Sequence, residues 1–461
     1  MNIELIVFTG LIALASILLS PRTQSLPSFF LGRTATGGSP ALFTLVFSQV
    51  TTWIFARSLM NAAILGFYYG VWGTLAYAAY YLSFITGASI IDSLRFRHGY
   101  NNVQSFLYDR FGRAGTACYN FVIGLRLVSE VFANLLVIGI LFGAAGSDMY
   151  TLSILAFAFV TLLYSMAGGL HASLRTDVLQ MIVFLVTLTV LLVFVISDDS
   201  FSLSQFAFKP FVFNEPGPVL LAVALLQVWS YPMHDPVMMD RGFLADRSTT
   251  RRSFYHAGWI SILCIMAFGS LGIFAGANVI GGETMNATLT RLLGEIPMLL
   301  FSATLIISAM STLDSTLSSS SKLLIVDMQL VDPSIRKGRI AMLLFMLLGL
   351  LMVFMGNKDL FSAVAVSGTA SMYLAPVIFF SLWGGRTDIP VWSYLGSFVL
   401  AVTGAILYFT ESSSYTVLMG DYHKYTKLLF ISATVMTGGC LLFWAGAKTA
   451  AQPVKMAQNP V

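Results

Sequence analysis

The stretch "AMSTLDSTLSSSS", residues 309–321, lies inside an apolar segment, with "FSATLIIS" before it and "KLLIV" after it. It places eight hydroxyl side chains and the carboxylate of Asp314 in a segment long enough to span a membrane. Five hydroxyl residues recur at helical spacing along one stripe: Ser308, Ser311, Thr312, Ser315 and Ser319. Such a stripe either packs against a neighbouring helix or directs oxygen atoms at a hard monovalent cation.

Composition indicates the class of protein around this stretch. Apolar residues fill 57% of the 461 positions and charged residues only 10%, against roughly 25% charged residues in soluble domains. The chain is therefore predicted to be an all-α polytopic membrane protein, and nothing in it implies a nucleic-acid partner. Its three cysteines are far apart and follow neither metal-ligand nor disulfide spacing.

A helix needs roughly 20 apolar residues to cross about 30 Å of hydrocarbon. About thirteen runs are predicted to do so: 3–20, 42–69, 71–94, 114–143, 150–169, 176–197, 217–238, 254–278, 297–325, 339–356, 360–383, 390–410 and 427–447. The connecting segments are too short for a separate soluble domain. The first run has no basic segment before it, so we interpret it as a retained leading helix within 1–21 rather than a signal peptide.

The basic residues predict the orientation. If the N-terminus is outside, most Lys and Arg fall in inside loops, among them Arg241 and Lys322, and few fall outside. This alternating asymmetry predicts a cytoplasmic C-terminus.

Ionisable groups within the runs are the functional candidates, because they are expensive in lipid and usually face a cavity or a partner. They are Arg57, Arg126, Glu130, Asp177, His234, Asp235 and Asp314. Each also has a structural alternative. Arg126 and Glu130 can pair at i, i+4, Asp177 and Asp235 can act as boundary caps, and Asp314 can face the inner vestibule.

Helix interruption is a second indication of a site. In "QVWSYPMHDPVMMD", residues 227–240, Pro232 and Pro236 remove backbone donors and are predicted to break the helix. The run "FSQVTTWIFARSLMNAAILG", residues 47–66, has no proline or glycine at mid-span but carries many polar side chains there.

Several motifs together resemble the sodium:solute symporter family, which contains sodium–proline, sodium–glucose and sodium–sialic acid cotransporters. These motifs are "SLPSFFLGR" (25–33), "NVQSFLYDRFG" (102–112), "YSMAGGLHASLRTDVLQ" (164–180), "DPVMMDRGFLADRSTTRR" (235–252) and "SAMSTLDSTLSSSS" (308–321). The resemblance covers most of the chain to about residue 385. It implies a LeuT-like fold in a single transmembrane domain, with inverted repeats at 41–197 and 216–385 and peripheral helices at 386–450.

The resemblance also implies a sodium site. Its expected ligands are Thr51 and Ile54 in the run 42–69, with Ser308, Ser311 and Thr312 in the run 297–325, and Ser308 is expected to contribute its carbonyl. Asp177 matches a signature aspartate that holds a second sodium in some members, so one or two Na⁺ ions are expected.

A solute is expected to bind beside the sodium. The candidate residues are Gln49, Trp53, Phe55, Arg57, Ser58, Asn61, Arg126, Glu130, Trp229 and Asp235. An arginine at mid-membrane suits a carboxylate, whereas the surrounding pattern resembles the branch of the family that carries urea and polyamines. The structural alternative is that Arg57 pairs with Asp235 or Glu130.

The function expected from these features is sodium-coupled import of a small polar solute across the inner or plasma membrane. No enzymatic activity and no obligate protein partner are expected. A proton-coupled carrier or channel and a solute sensor are the alternatives from other classes.

Overall fold

We analysed a computed structural model that describes residues 3–23, 25–34, 37–355 and 366–450. All the regular elements within these ranges are helical, and nine of the helices are long and apolar enough to cross a membrane. The predicted class, an all-α polytopic membrane protein, is therefore confirmed. The number of thirteen spans and the inverted repeat stay predictions, and the predicted spans 339–356 and 360–383 reach partly into residues outside the described ranges.

The helices follow in chain order: α1 Ile3–Leu19, α2 Leu26–Leu31, α3 Leu42–Trp53, α4 Ala56–Ala79, α5 Ser83–Ile91, α6 Val103–Phe142, α7 Asp148–Ile196, α8 Pro216–Gln227, α9 Tyr231–His234, α10 Pro236–Gly242, α11 Arg247–Ala277, α12 Met285–Leu293, α13 Glu295–Lys322, α14 Ile335–Met355, α15 Val366–Trp383, α16 Val391–Ser412 and α17 Lys424–Ala450. A 3₁₀ turn joins α4 to α5, and π-helical turns extend α5 and α13 to Arg97 and Asp327.

Glycine kinks divide three of the long helices, at Gly70 in α4, Gly112 in α6 and Gly169 in α7. At Gly169, φ is +59°, and a Cβ atom there would lie 2.4 Å from the carbonyl oxygen of Phe29. Only glycine meets both conditions. The sequence predicts two spans here, 150–169 and 176–197, and the structure has one continuous helix, α7, that is kinked at Gly169.

Two helix breaks lie beside α13. The first separates α3 from α4 at Ile54 (φ −85°, ψ 60°) and Phe55 (φ −73°, ψ 159°). The second separates α8, α9 and α10, with Asp235 extended between the last two, as Pro232 and Pro236 predicted. Helix α13 packs along α6 and α7 and also contacts α3 and α10. Helix α13 therefore lies beside backbone N–H and C=O groups that have no partner within their own helix.

Two basic residues assigned to cytoplasmic loops are buried inside the bundle, so that part of the prediction was wrong. Arg241 is 0% exposed because α10 continues past Pro236 into the protein interior. Lys322 is buried at the end of α13, where its Nζ lies 2.7 Å from Asp240 and 2.9 Å from Asp327. Each cation is paired with a buried carboxylate.

Candidate functional site

Helix α13 places hydroxyl oxygens against the carbonyl groups at the first break. The Ser308 hydroxyl donates to the Ile54 carbonyl. The Thr312 hydroxyl lies 3.0 Å from the Ser308 carbonyl and 3.4 Å from the Thr52 carbonyl. All four residues are buried. Carbonyls at the C-terminal end of a half-helix, together with hydroxyls, form a donor set suited to Na⁺.

Three of the five residues expected to bind the first sodium meet at this point, namely Ile54, Ser308 and Thr312. Thr51 is buried in the last turn of α3, but the α3 carbonyl that Thr312 approaches belongs to Thr52. Sequence reasoning did not assign Thr52. Its position next to Thr51 could have indicated it, because consecutive carbonyls at a helix end are all without a helical partner.

The fifth expected ligand, Ser311, points instead at Asp177. Its hydroxyl lies 2.6 Å from one carboxylate oxygen of Asp177, and the Ser48 hydroxyl lies 2.6 Å from the other. Arg241 Nη2 is 3.6 Å from the same carboxylate, and all four side chains are buried. Asp177 is therefore a buried, paired group and not a solvated boundary cap.

Asp314 belongs to the same network. It accepts hydrogen bonds from Ser173 at 2.8 Å and from Thr176 at 2.9 Å, and it is 0% exposed. Ser173 precedes Asp177 by one helical turn, so the spacing in the signature motif could have indicated it. We call Ser48, Ser173, Asp177, Arg241, Asp314 and Ser315 the Asp177 cluster.

A chain of ion pairs lies on the other side of the first break. Arg57 Nη2 is 3.1 Å from Glu130 Oε1, Arg126 also contacts Glu130, and Arg126 Nη2 is 3.1 Å from Asp235 Oδ2. At most 5% of any of the four side chains is exposed. Both pairings proposed as structural alternatives, Arg126 with Glu130 and Arg57 with Glu130, are therefore present. We call these four residues the ion-pair chain.

Two small cavities flank Phe55. The first, of about 20 Å³, has mainly aromatic walls: Trp53, Phe55, Ser58, Tyr77, Tyr80, Tyr81 and Tyr231. The second, of about 10 Å³, is lined by four apolar residues, Phe55, Leu127, Pro236 and Val237, and by six charged or hydroxyl residues: Thr52, Arg126, Glu130, Asp235, Thr312 and Thr316. About 10–15 Å³ is needed for one water, so an organic solute enters only after these walls move apart.

Several buried polar atoms on α3, α4 and α6 have no hydrogen-bond partner among the described residues. They are both amide atoms of Gln49, Trp53 Nε1, Nε and Nη1 of Arg57, Asn61 Nδ2, Arg126 Nε and Glu130 Oε2. Unpaired buried polar groups are rare and point to a ligand or ordered water. All six of these residues were predicted to bind the solute.

Two further residues that were predicted to bind the solute, Ser58 and Trp229, do not line the second cavity. The Ser58 hydroxyl accepts from Tyr77 at 3.1 Å on the wall of the aromatic cavity. Trp229 lies apart from the cavities, because its side chain is 40% exposed and its ring contacts Phe379 and Trp383.

Comparison with known proteins gives the same family as the motifs. The sodium:solute symporter family model matches residues 29–211, so the predicted resemblance is confirmed over a range that includes the first break and Asp177. A search of curated protein sequences finds no match.

Solved transporter structures share the fold. A Na⁺-coupled sialic acid symporter in a substrate-bound outward-open state has a TM-score of 0.69 at 15% identity, covering 96% of this chain and 97% of its own. A nucleobase-cation-symport-1 family transporter with bound bromovinylhydantoin has a TM-score of 0.58 at 15% identity and covers 92% and 97%. The manganese transporter of Eremococcus coleocola has a TM-score of 0.54 at 12% identity and covers 89% and 94%.

Proposed function

We propose that this chain, which over residues 29–211 resembles the sodium:solute symporters, couples the inward movement of Na⁺ to the import of a small polar solute by alternating access. The observation that carries the proposal is the meeting of α3 and α13, where two carbonyls and the Thr312 hydroxyl converge beside a buried charged cavity. The proposed orientation has the N-terminus outside and the C-terminus in the cytoplasm of an inner or plasma membrane.

The shared wall explains how ion and solute are coupled. Thr52 and Thr312 belong to the cation site and also line the cavity that contains Arg126 and Glu130. Na⁺ bound there holds α3 against α13 and so fixes one wall of the solute cavity. Coupling requires only that each ligand binds better when the other is present. The membrane potential adds about 2.3 kcal/mol per 100 mV for each net positive charge that moves inward with ion and solute together.

The proposed solute carries a carboxylate. Nε and Nη1 of Arg57 are buried and have no partner among the described residues, although Nη2 is paired with Glu130. Nε and Nη1 lie on different edges of the guanidinium, and each can donate one charge-assisted hydrogen bond to a carboxylate. The aromatic walls next to Arg57 suit the apolar part of a small organic acid.

A neutral, urea-like solute is the second candidate. One observation favours it: the ion-pair chain contains two arginines and two carboxylates, so its formal charges balance without a charged ligand. A neutral amide or urea could then bind through the unpaired amide of Gln49 and the unpaired oxygen of Glu130.

Proteoliposomes that contain the purified protein test the function. An inward Na⁺ gradient should drive accumulation of a small carboxylic acid, replacement of Na⁺ by K⁺ should abolish it, and a pH gradient alone should have no effect. Uptake that follows the pH gradient without Na⁺ would contradict the proposal in favour of a proton-coupled carrier.

A thermal-shift screen identifies the solute class. Small acids, amino acids, amides and ureas are each added with and without Na⁺. A ligand at 100 times its Kd stabilises the folded state by about 2.7 kcal/mol. The proposal expects shifts for acids that appear only with Na⁺. Shifts confined to amides and ureas would favour the second candidate.

A further inference from the structure

A basic groove lies on the protein surface where the end of α5, with its π-helical extension, meets the start of α11. The groove has a volume of about 890 Å³. Its walls carry four arginine side chains and one carboxylate, which give it a net formal charge of plus three: Arg97, Arg247, Arg251, Arg252 and Asp92. We call it the α5–α11 groove.

Asp92 orients two of the four arginines. Nε and Nη2 of Arg247 lie 2.6 and 2.8 Å from the two carboxylate oxygens of Asp92, and Nε of Arg97 lies 3.0 Å from Oδ2. Both arginines stay accessible to a ligand, because 56% of the Arg247 side chain and 65% of the Arg97 side chain are exposed. One carboxylate therefore fixes two cations but balances the charge of only one.

The other two arginines, Arg251 and Arg252, are exposed in the first turns of α11. Neither forms an ion pair with a carboxylate in the part of the chain that the structure describes. Arg251 lies over the ring of Tyr255, with Cζ 5.7 Å from the ring centroid. A guanidinium presents a planar set of N–H donors that matches the oxygens of a phosphate. These two arginines are therefore the donors that an anionic ligand would meet in the groove.

An exposed apolar stripe continues from the groove along α11. Tyr255, Trp259 and Leu263 follow one another at intervals of four residues and are 43–59% exposed. At a rise of about 1.5 Å per residue, Leu263 lies about 18 Å along the helix from Arg251. This length is slightly more than half of the roughly 30 Å of hydrocarbon in a bilayer. The groove and the stripe together match an amphiphile with a charged headgroup and acyl chains.

We propose that the α5–α11 groove binds the phosphate headgroup of an anionic phospholipid, whose acyl chains lie along Tyr255, Trp259 and Leu263. Basic pockets between membrane helices bind such headgroups. A zwitterionic lipid would bring its ammonium group close to four arginines, so the groove should prefer a headgroup without one. In the proposed orientation the groove faces the cytoplasmic leaflet. The inference does not depend on which ion or solute is transported.

Thermal unfolding of the purified protein in an uncharged detergent tests the preference for a lipid anion. Phosphatidylglycerol should raise the Tm in a saturable manner, whereas phosphatidylcholine with the same chains, inorganic phosphate and poly-glutamate should leave it unchanged. Equal stabilisation by phosphatidylcholine would overturn the inference. Stabilisation by inorganic phosphate alone would assign the groove to a free anion, and stabilisation by poly-glutamate alone would assign it to an acidic polypeptide.

A double variant tests the position of the headgroup. Arg251→Gln with Arg252→Gln removes two charged donors, so the phosphatidylglycerol concentration at half of the Tm shift should rise at least about tenfold. Arg113→Gln with Arg336→Gln is the matched control, because these two arginines are also exposed but lie outside the groove, on α6 and α14. The control should keep the original concentration. Equal weakening in both double variants would indicate unspecific attraction and overturn the inference.

Brominated acyl chains locate the lipid without any change of charge. Phosphatidylglycerol with bromine in its chains should quench the tryptophan fluorescence of the protein in a saturable manner, and Trp259→Phe should remove most of the saturable part. Saturable quenching that is unchanged in Trp259→Phe would overturn the proposed position of the chains. This measurement decides the inference if the double variant of Arg251 and Arg252 does not fold.

Discussion

The Thr312 hydroxyl is the most direct test of the sodium site. Thr312→Ala removes the side-chain oxygen that lies between the carbonyls of Ser308 and Thr52 and leaves the helix backbone in place. One hydrogen bond or ligand contact to a charged group contributes about 1.5–3 kcal/mol. Since every 1.4 kcal/mol is a factor of ten, the Na⁺ concentration for half-maximal uptake should rise roughly 10- to 150-fold.

The assay is the initial rate of solute uptake into proteoliposomes over a range of Na⁺ concentrations. Thr312→Ser restores the hydroxyl and should recover most of the sodium affinity. Thr304→Ala is the matched control: it removes a buried hydroxyl two turns earlier on α13, one that bonds Thr187 at 3.0 Å and lies outside the cation site. This control should cost about 1 kcal/mol of stability and leave sodium dependence unchanged. If Thr312→Ala and Thr304→Ala show the same sodium dependence, Thr312 is not a ligand.

Four further variants test the remaining assignments. Arg57→Gln should abolish binding of an acidic solute and spare a neutral one, measured by thermal shift; equal loss for both would assign Arg57 a structural role. Asp177→Asn should raise the sodium requirement of uptake more than the KM for solute, because it removes a negative charge next to the ion; a collapse of solute affinity at saturating Na⁺ would contradict this. Gly169→Ala combines a left-handed φ with a Cβ atom 2.4 Å from the Phe29 carbonyl and should destabilise the protein by about 1–3 kcal/mol in thermal unfolding in detergent; an unchanged Tm would refute the steric argument. Trp229→Ala should leave the KM for solute unchanged, since this side chain is exposed and apart from the cavities; a large rise in KM would return it to the solute site.

The contribution of α13 to the site could be predicted from the sequence because it depends on local periodicity. Hydroxyls at helical spacing lie on one face whatever surrounds them, and two of the stripe residues, Ser308 and Thr312, face the first break. The break at Pro232 and Pro236 was predictable for a similar reason, because proline removes a backbone donor wherever it occurs.

The break at Ile54 and Phe55 could not be predicted from local chemistry. Neither residue disfavours a helix strongly, and the break is stabilised by distant groups: the Tyr81 hydroxyl donates to the Trp53 carbonyl at 2.8 Å, and Ser308 donates to that of Ile54. Contacts with residues distant in the sequence determine where this helix breaks. The residues of the segment itself therefore do not indicate the break.

The partners of the buried charges could not be predicted from the sequence either. Placing a charge in lipid costs free energy, and this cost identified Arg57, Glu130 and Asp235 as candidates. Which of these charges pair with each other depends on which helices come into contact in the fold. Arg241 was misplaced because a short helix after two prolines has no apolar run to distinguish it from a loop. Asp235 is extended between α9 and α10, and every residue of α10 after it is buried.

The hydroxyl that Ser308 presents to the Ile54 carbonyl has a consequence for turnover. A buried carbonyl without a partner costs about 1–3 kcal/mol, and a carrier that has just released its ion must keep such a carbonyl during the return step. Here the Ser308 hydroxyl serves as the partner. In the proposed transport cycle this hydrogen bond would stabilise the ion-free protein, so the return step would become faster and the affinity for the ion lower. An alanine at this position would bind sodium more tightly and complete fewer cycles per second.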